Sequence, residues 1–292
     1  MKSTIREARA MGSPLRLTLP GSCADGADAA WEIVRRVFTR AERDLSRFAS
    51  DSPLSRLNRS AGSGYEVDVP PMLVQALAAP WRAFRASGGR FDPRIIGALE
   101  AAGEHAGVEL PASPGVLAPA DRWLTLDARR RTAAISAPID LGGIGKGLAL
   151  RWAAAALRHA GHPRFLLSAG GDVVAAGDGP ANRPWVVGVE DPTGRKSPLA
   201  TMELADAAVA TSSIAVRSWR DASGGLAHHL IDPKTQAPAD PVWSAVTVVD
   251  RDPAWAEVRS KVAFLAGRRI AEMLRGRRAW WVAESGDMHS AA

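Results

Sequence analysis

Two glycine-rich turns joined by a single helix constrain this chain more than any other feature. They occupy the stretch from Pro138 to Asp172, PIDLGGIGKGLALRWAAAALRHAGHPRFLLSAGGD. From Ile144 onward Leu148, Trp152, Ala155, Ala156 and Leu157 fall three or four apart, the spacing of one helix face, and Gly161 ends the pattern where helices favour glycine. Leu141 to Lys146 is then the N-terminal mouth of that helix, with backbone N–H groups that lack intrahelical partners and the positive end of the helix dipole. Glycines at 142, 143, 145 and 147 leave room for a ligand to approach the backbone there, which suits phosphate. Such clusters equally serve as turns that pack a helix close to a strand, and the pattern alone leaves both readings open. Phe165 to Ser168 reads as a buried strand running into a second tight turn, Ala169 to Asp172, placed to close the same pocket.

The 292 residues, 46% of them hydrophobic, suffice for a sizeable core in one large domain or two small ones. A formal charge of +6 points to an anionic partner without choosing among nucleotide, nucleic acid and acidic membrane surface. With Cys23 as the only cysteine there is no intramolecular disulfide and no thiol cluster for zinc or iron. The first residues carry Lys2, Arg6, Glu7, Arg9 and Arg16 and no long apolar run, so no secretion signal is read there and a cytoplasmic location is expected. No apolar run approaches the ~20 residues of a membrane span.

In chain order, Leu15, Leu17 and Leu19 alternate as in a strand over Met11 to Leu19. Asp28 is placed to cap a helix whose stripe is Trp31, Val34, Phe38, Ala41, Leu45 and Phe48. Ser55, Asn58 and Ser60 then offer short polar groups in an apolar frame. Pro70 and Pro71 open a helix that Gly88 and Gly89 close, with Pro80 inside it as a candidate kink. The loop PASPGVLAP is expected to be exposed, and strands 123–126 and 132–136 form a hairpin through DARRR. Strands are expected at 185–189, 201–204, 228–231, 244–249 and 279–283, and helices at 254–266 and 268–274. The absence of repeats and of a clean linker favours a single α+β unit with two lobes over residues 1–292. The basic run GRRIAEMLRGRR reads as a solvated helix face, and no nucleic-acid partner is expected without a recognisable module.

Six motifs in order, SRFASDSPLSRLN, GGRFDP, DLGGIGKGLAL, LLSAGGD, VATSS and HLIDPKTQAP, resemble those of the FAD:protein FMN transferase or ApbE family, over roughly residues 11 to 285. The resemblance implies a two-lobed fold of mixed and antiparallel sheets flanked by helices. It also implies an enzyme that cleaves the FAD diphosphate and joins FMN by a phosphoester to a threonine or serine of another protein, releasing AMP. The alternatives are a protein that holds FAD with weak or no transfer, and a nucleic-acid binder carried by its basic surface.

By motif position the resemblance assigns FAD contacts to Met11, Phe48, Phe91, Asp92, Asp140, Lys146 and Ile231. Phe48, Phe91 and Ile231 are otherwise core residues, Asp140 a helix cap and Lys146 a surface lysine. His229, before LIDP, falls where the family has a histidine suited to act as general base on the acceptor hydroxyl, and its ordinary pKa suits that task. Its neighbour His228 leaves an ambiguity of one residue, because side chains alternate along a strand. Thr211, Ser212 and Ser213 serve either phosphate, the acceptor or an ordinary turn.

The chain departs from the family in AWAEVRSKVAFLAG. The family pattern there supplies an Asp and, four residues on, a Thr to a divalent metal, with a backbone oxygen at the position of Gly143. This chain has Glu257 and Lys261. Glu257 can still offer a carboxylate to Mg²⁺, whereas a protonated Lys261 is no ligand. Lys261 either pairs with Glu257 one turn away or stands in the metal's place, so metal binding is expected to be weakened or replaced.

Overall fold

The computed structural model describes residues 3–21, 23–111, 123–221 and 224–291, so most of the loop PASPGVLAP lies outside the described residues. The helices are α1 (Ala24–Leu45), α2 (Pro53–Arg59), α3 (Pro71–Ala86), α4 (Ile96–Ala101), α5 (Gly145–His159), α6 (Pro253–Leu265) and α7 (Ile270–Met273). Two compact units divide the chain, the first made of residues 1–40, 146–215 and 241–292 and the second of 41–145 and 216–240.

The first unit is built on an eight-stranded sheet. Its strands are β1 (Ser3–Ala10), β2 (Ser13–Pro20), β3 (Phe165–Ala169), β4 (Asp172–Ala176), β5 (Ala207–Ser213), β6 (Trp243–Asp250), β7 (Ala279–Ala283) and β8 (Met288–Ala291). Their order across the sheet is their order in the chain, and every neighbouring pair is antiparallel. The leucine alternation in β2 reports this placement. Leu15, Leu17 and Leu19 are each at most 2% exposed, and Leu17 stands opposite Leu167. α6 packs across β4, β5 and β6. A separate hairpin, Trp185–Val189 with Ala200–Leu204, buries Trp185, Met202 and Leu204 against Ala175 and Val209.

The second unit packs α2 and α3 on a three-stranded sheet in which Thr132–Ile135 lies between Val67–Asp68 and Leu124–Asp127, and α4 against Ala237–Pro238. Two short hairpins complete it, Ser218–Arg220 with Leu226–His228 and Ile231–Asp232 with Ala237–Pro238.

Several local expectations give way to packing. α1 begins at Ala24, before Asp28, so Asp28 caps nothing and pairs with Arg6 at 2.7 Å. Its buried stripe is Ala27, Ala30, Val34, Phe38, Ala41 and Leu45, and Phe48 lies beyond its end. Pro80 sits inside a continuous α3. The VATSS segment is no turn: it forms β5, where Val209 and Thr211 pair with β6 as β-branched residues favour. The expected strand 228–231 is broken after His228.

Candidate functional site

In the first unit the Gly170–Gly171 turn and the start of α5 come together. A Cβ on Gly170 would lie 2.8 Å from Ser13 Oγ and 3.4 Å from Lys146 Cδ. Ser13 follows the β1–β2 turn, which carries Met11 in the left-handed region at φ 49°.

Lys146 stands at the second position of α5 and reaches two buried carboxylates. Its Nζ is 2.7 Å from Asp172 Oδ2 and 2.8 Å from Glu257 Oε1, while the Gly147 N–H donates to Glu257 Oε2 at 2.7 Å. Asp172 Oδ1 accepts from the Thr211 N–H at 3.2 Å. Burial opposes the charge on Lys146, but the two carboxylates outweigh it and hold the ammonium above its ordinary value. Burial raises the Asp172 carboxyl, Lys146 pulls it down, and Glu257 pushes it up again. The surface-lysine reading of Lys146 thus gives way, because it is the counter-ion of two buried acids.

The glycines of the α5 mouth are not all ligand space. A Cβ on Gly147 would meet Ala254 Cα and Pro253 O at 2.6 Å, so this glycine lets α5 touch the backbone at the start of α6. Gly147→Ala should therefore destabilise the protein by about 1–3 kcal/mol, as overpacking does, with chemical denaturation as the measurement. An unchanged midpoint would mean that the helices can part. A Cβ on Gly142 would meet the Asp140 carboxylate at 2.7 Å.

The donor set as folded does not fit a resident divalent cation. Both oxygens of Glu257 are engaged, by Lys146 and by Gly147. Lys261 stands one helical turn beyond Glu257, where an ammonium offers no lone pair. Among the described residues no three His, Cys, Asp or Glu side chains gather as ligands.

In the second unit Asn58, fully buried on α2, clamps the backbone just before Asp140. Its Nδ2 donates to Ile139 O at 2.9 Å and its Oδ1 accepts from Ile139 N at 2.9 Å. Asn58→Ala would strand both backbone groups and should cost about 2–6 kcal/mol by urea denaturation, the sum of two buried unsatisfied groups. A cost below about 1 kcal/mol would show that the segment reorganises. Asp140 so held accepts from the Gly142 N–H through Oδ1 and from Arg47 Nε at 2.5 Å through Oδ2. It caps the turn that leads into α5, the local duty that its sequence position allowed.

Arg47 is 3% exposed and its guanidinium lies 4.3 Å from the centre of the Phe48 ring, which is itself 54% exposed. Phe48 is therefore not core: one face of its ring meets the Arg47 guanidinium while the side chain stays exposed. Phe91 is buried, and Ile231 packs with Ala98 and Leu99. Asp92 is committed to Arg94 in a two-oxygen ion pair at 3.0 and 2.7 Å.

The two histidines have different surroundings. His228 is buried, its Nε2 donates to Ala239 O at 3.0 Å and its Nδ1 accepts from the Leu230 N–H at 3.3 Å. Burial pushes its imidazole below the ordinary value, only partly offset by the bond to Ala239. His229 is partly exposed, and its Nδ1–H donates to Arg217 O at 3.1 Å, so Nε2 is the basic nitrogen. In the first unit the hydroxyls of Thr211, Ser212 and Ser213 bond Thr247, Ser260 and the Ser244 carbonyl. Asp172, Arg47, Glu104 and Asn58 are the residues whose roles the sequence did not reveal. An acid closing a glycine turn was the one visible sign, at Asp172.

The model of the ApbE family matches residues 11–280. The FAD:protein FMN transferase of Haemophilus influenzae is 24% identical over 243 residues, 78% of this chain and 70% of that protein. The protein of the same name from Rhodobacter capsulatus is 29% identical over 290 residues, 95% of this chain, which spans only 55% of its relative's length. The crystal structure of the ApbE protein of Thermotoga maritima superposes with a TM-score of 0.85 at 24% identity, covering 99% of this chain and 97% of that one.

Proposed function

The chain belongs to the ApbE family, and from that premise we infer that it is an FAD:protein FMN transferase. The observation that carries the reading to this chain is His229, whose Nδ1–H is fixed on the Arg217 carbonyl with Nε2 as the basic nitrogen. A hydroxyl of a threonine or serine on an acceptor protein attacks the FMN-side phosphorus of FAD. The new P–O bond forms as the bond to the bridging oxygen breaks, AMP departs with that oxygen, and the hydroxyl proton passes to His229 Nε2.

FAD is the substrate. Within the second unit Phe48 offers its exposed ring to a heterocycle, and by motif position Phe91, Asp92, Asp140 and Ile231 belong to that unit's contribution. Within the first, the turn of Met11 contributes, and Lys146 has a third N–H beyond the two directed at Asp172 and Glu257. Stabilising charge on a diphosphate is what such donors do. No described helix is long and apolar enough to cross a membrane.

Incubation with FAD and a candidate acceptor tests the reading: a fluorescent, covalently flavinylated acceptor and stoichiometric AMP are expected. Failure to bind FAD would end it. Because Lys146 occupies the Glu257 carboxylate, FAD affinity should depend little on Mg²⁺. Adding EDTA should leave the dissociation constant within about threefold, less than about 1 kcal/mol. An anomalous-scattering peak for Mn²⁺ on Glu257 would overturn this expectation.

A further inference from the structure

Glu104 lies just beyond α4, in a segment that no motif covers. Its Oε1 is 3.2 Å from Arg47 Nη2 and also pairs with Arg217 Nη2. Each arginine leads somewhere. Arg47 holds Asp140 at 2.5 Å, and Asp140 caps the turn into α5. The carbonyl of Arg217 receives the Nδ1–H of His229 at 3.1 Å. The strand that follows Arg217, Ser218–Arg220, is fastened to the end of α4 as well, since Trp219 Nε1 donates to Ala102 O at 2.6 Å. Gly103 between them has no room for a side chain without pressing on Trp219 Nε1, which a Cβ would meet at 3.3 Å.

Two cations and two carboxylates thus alternate from Asp140 through Arg47 and Glu104 to Arg217. The Glu104 side chain is 15% exposed and that of Arg47 2%. Glu104 Oε2 and Arg47 Nη1 are buried without hydrogen-bond partners among the described residues, so Glu104 joins the two arginines through Oε1 alone. Toward Arg47 the contact is an ion pair without a hydrogen bond, since Nη2 too is among the buried atoms without a hydrogen-bond partner, whereas Arg217 Nη2 donates to Oε1, so Glu104 acts chiefly on Arg217 while Asp140 holds Arg47.

We propose that Glu104 is a positioning residue for FMN transfer: by holding Arg217 it sets the carbonyl that fixes the tautomer and direction of the His229 ring. This rests on the reading of His229 as the base. It also ties that ring to the segment that holds Asp140, so the two are set by one ion-pair network and not by separate loops.

Glu104→Gln and Arg217→Gln test it, the second at a side chain 41% exposed, where substitution is tolerated if the first variant does not fold. Each should lower kcat about tenfold with the dissociation constant for FAD within about twofold, and the double variant should fall no further than the worse single one. Spectra of ¹⁵N-histidine protein should show His229 changing from one tautomer to a mixture in both variants. That readout is independent of turnover, so a wild-type protein that transfers no FMN would count against the proposed function and leave the network to the spectra. Unchanged His229 resonances, additive losses, or a loss of FAD affinity in place of rate would overturn the proposal.

Discussion

Replacing His229 with alanine is expected to lower the rate of FMN transfer by about 10²–10⁴-fold, the usual contribution of a positioned general base. FAD binding, read from quenching of flavin fluorescence, should stay nearly unchanged. The expectation follows from the two rings' surroundings. His228 has both nitrogens bound to backbone and is buried, whereas His229 uses Nδ1 on the Arg217 carbonyl, which makes Nε2 its basic nitrogen. The paired substitution His228→Ala should act through stability, lowering the denaturation midpoint while the remaining folded protein keeps its rate. A His229 variant with near-normal turnover, or a His228 variant that is folded and inert, would exchange the two assignments.

Lys146→Ala should cost the fold more than it costs the cofactor. Removing one partner of a buried ion pair leaves uncompensated charge, typically about 3–5 kcal/mol, and here two carboxylates lose the same ammonium. Their side chains are 3% and 6% exposed, and Lys146 keeps 24%, so the lower end of that range is expected. Urea denaturation of the apoprotein measures it. A loss below about 1 kcal/mol would put the cluster among surface ion pairs and return Lys146 to the role of a ligand for phosphate alone. Lys146→Ala with Asp172→Asn should recover part of the loss, because the amide removes one of the stranded charges.

The sequence made periodic elements legible and left their partners dark. The leucines of β2 and the strand at 279–283 follow from spacing, because burial on one face demands it, and so does the helix α5, but its buried face is Leu148, Ala149, Leu150, Ala153, Ala154 and Leu157, with Ala155 of the expected stripe exposed. The glycines at 142 and 147 look alike in the chain, yet one accommodates the Asp140 carboxylate and the other the backbone of α6. Nothing local distinguishes them, since the neighbours that fill the space lie elsewhere in the chain. Likewise Glu257 reads as a metal ligand until Lys146, 111 positions away, is found on it. Asn58 reaches Ile139 across 81 positions. A polar side chain announces its chemistry in the sequence, but which backbone or charge it meets is decided by packing.

The sheet of the first unit has a bearing on how the protein is made. β2 ends at Pro20 and its partner β3 begins at Phe165, so roughly 145 residues must be synthesised before the pair can close. At about 5–20 residues per second the β1–β2 hairpin waits on the order of ten seconds on the ribosome with one edge unpaired. The loop-closure cost of so long an insertion grows only logarithmically and is smaller if residues 41–145 have already condensed. Their last partner, residues 216–240, emerges later still. Neither unit is contiguous, so each is completed by chain that arrives after the other has begun. Slow, chaperone-sensitive folding is the expected result, and refolding yield should fall more steeply with concentration than for a sheet of the same size made from local hairpins.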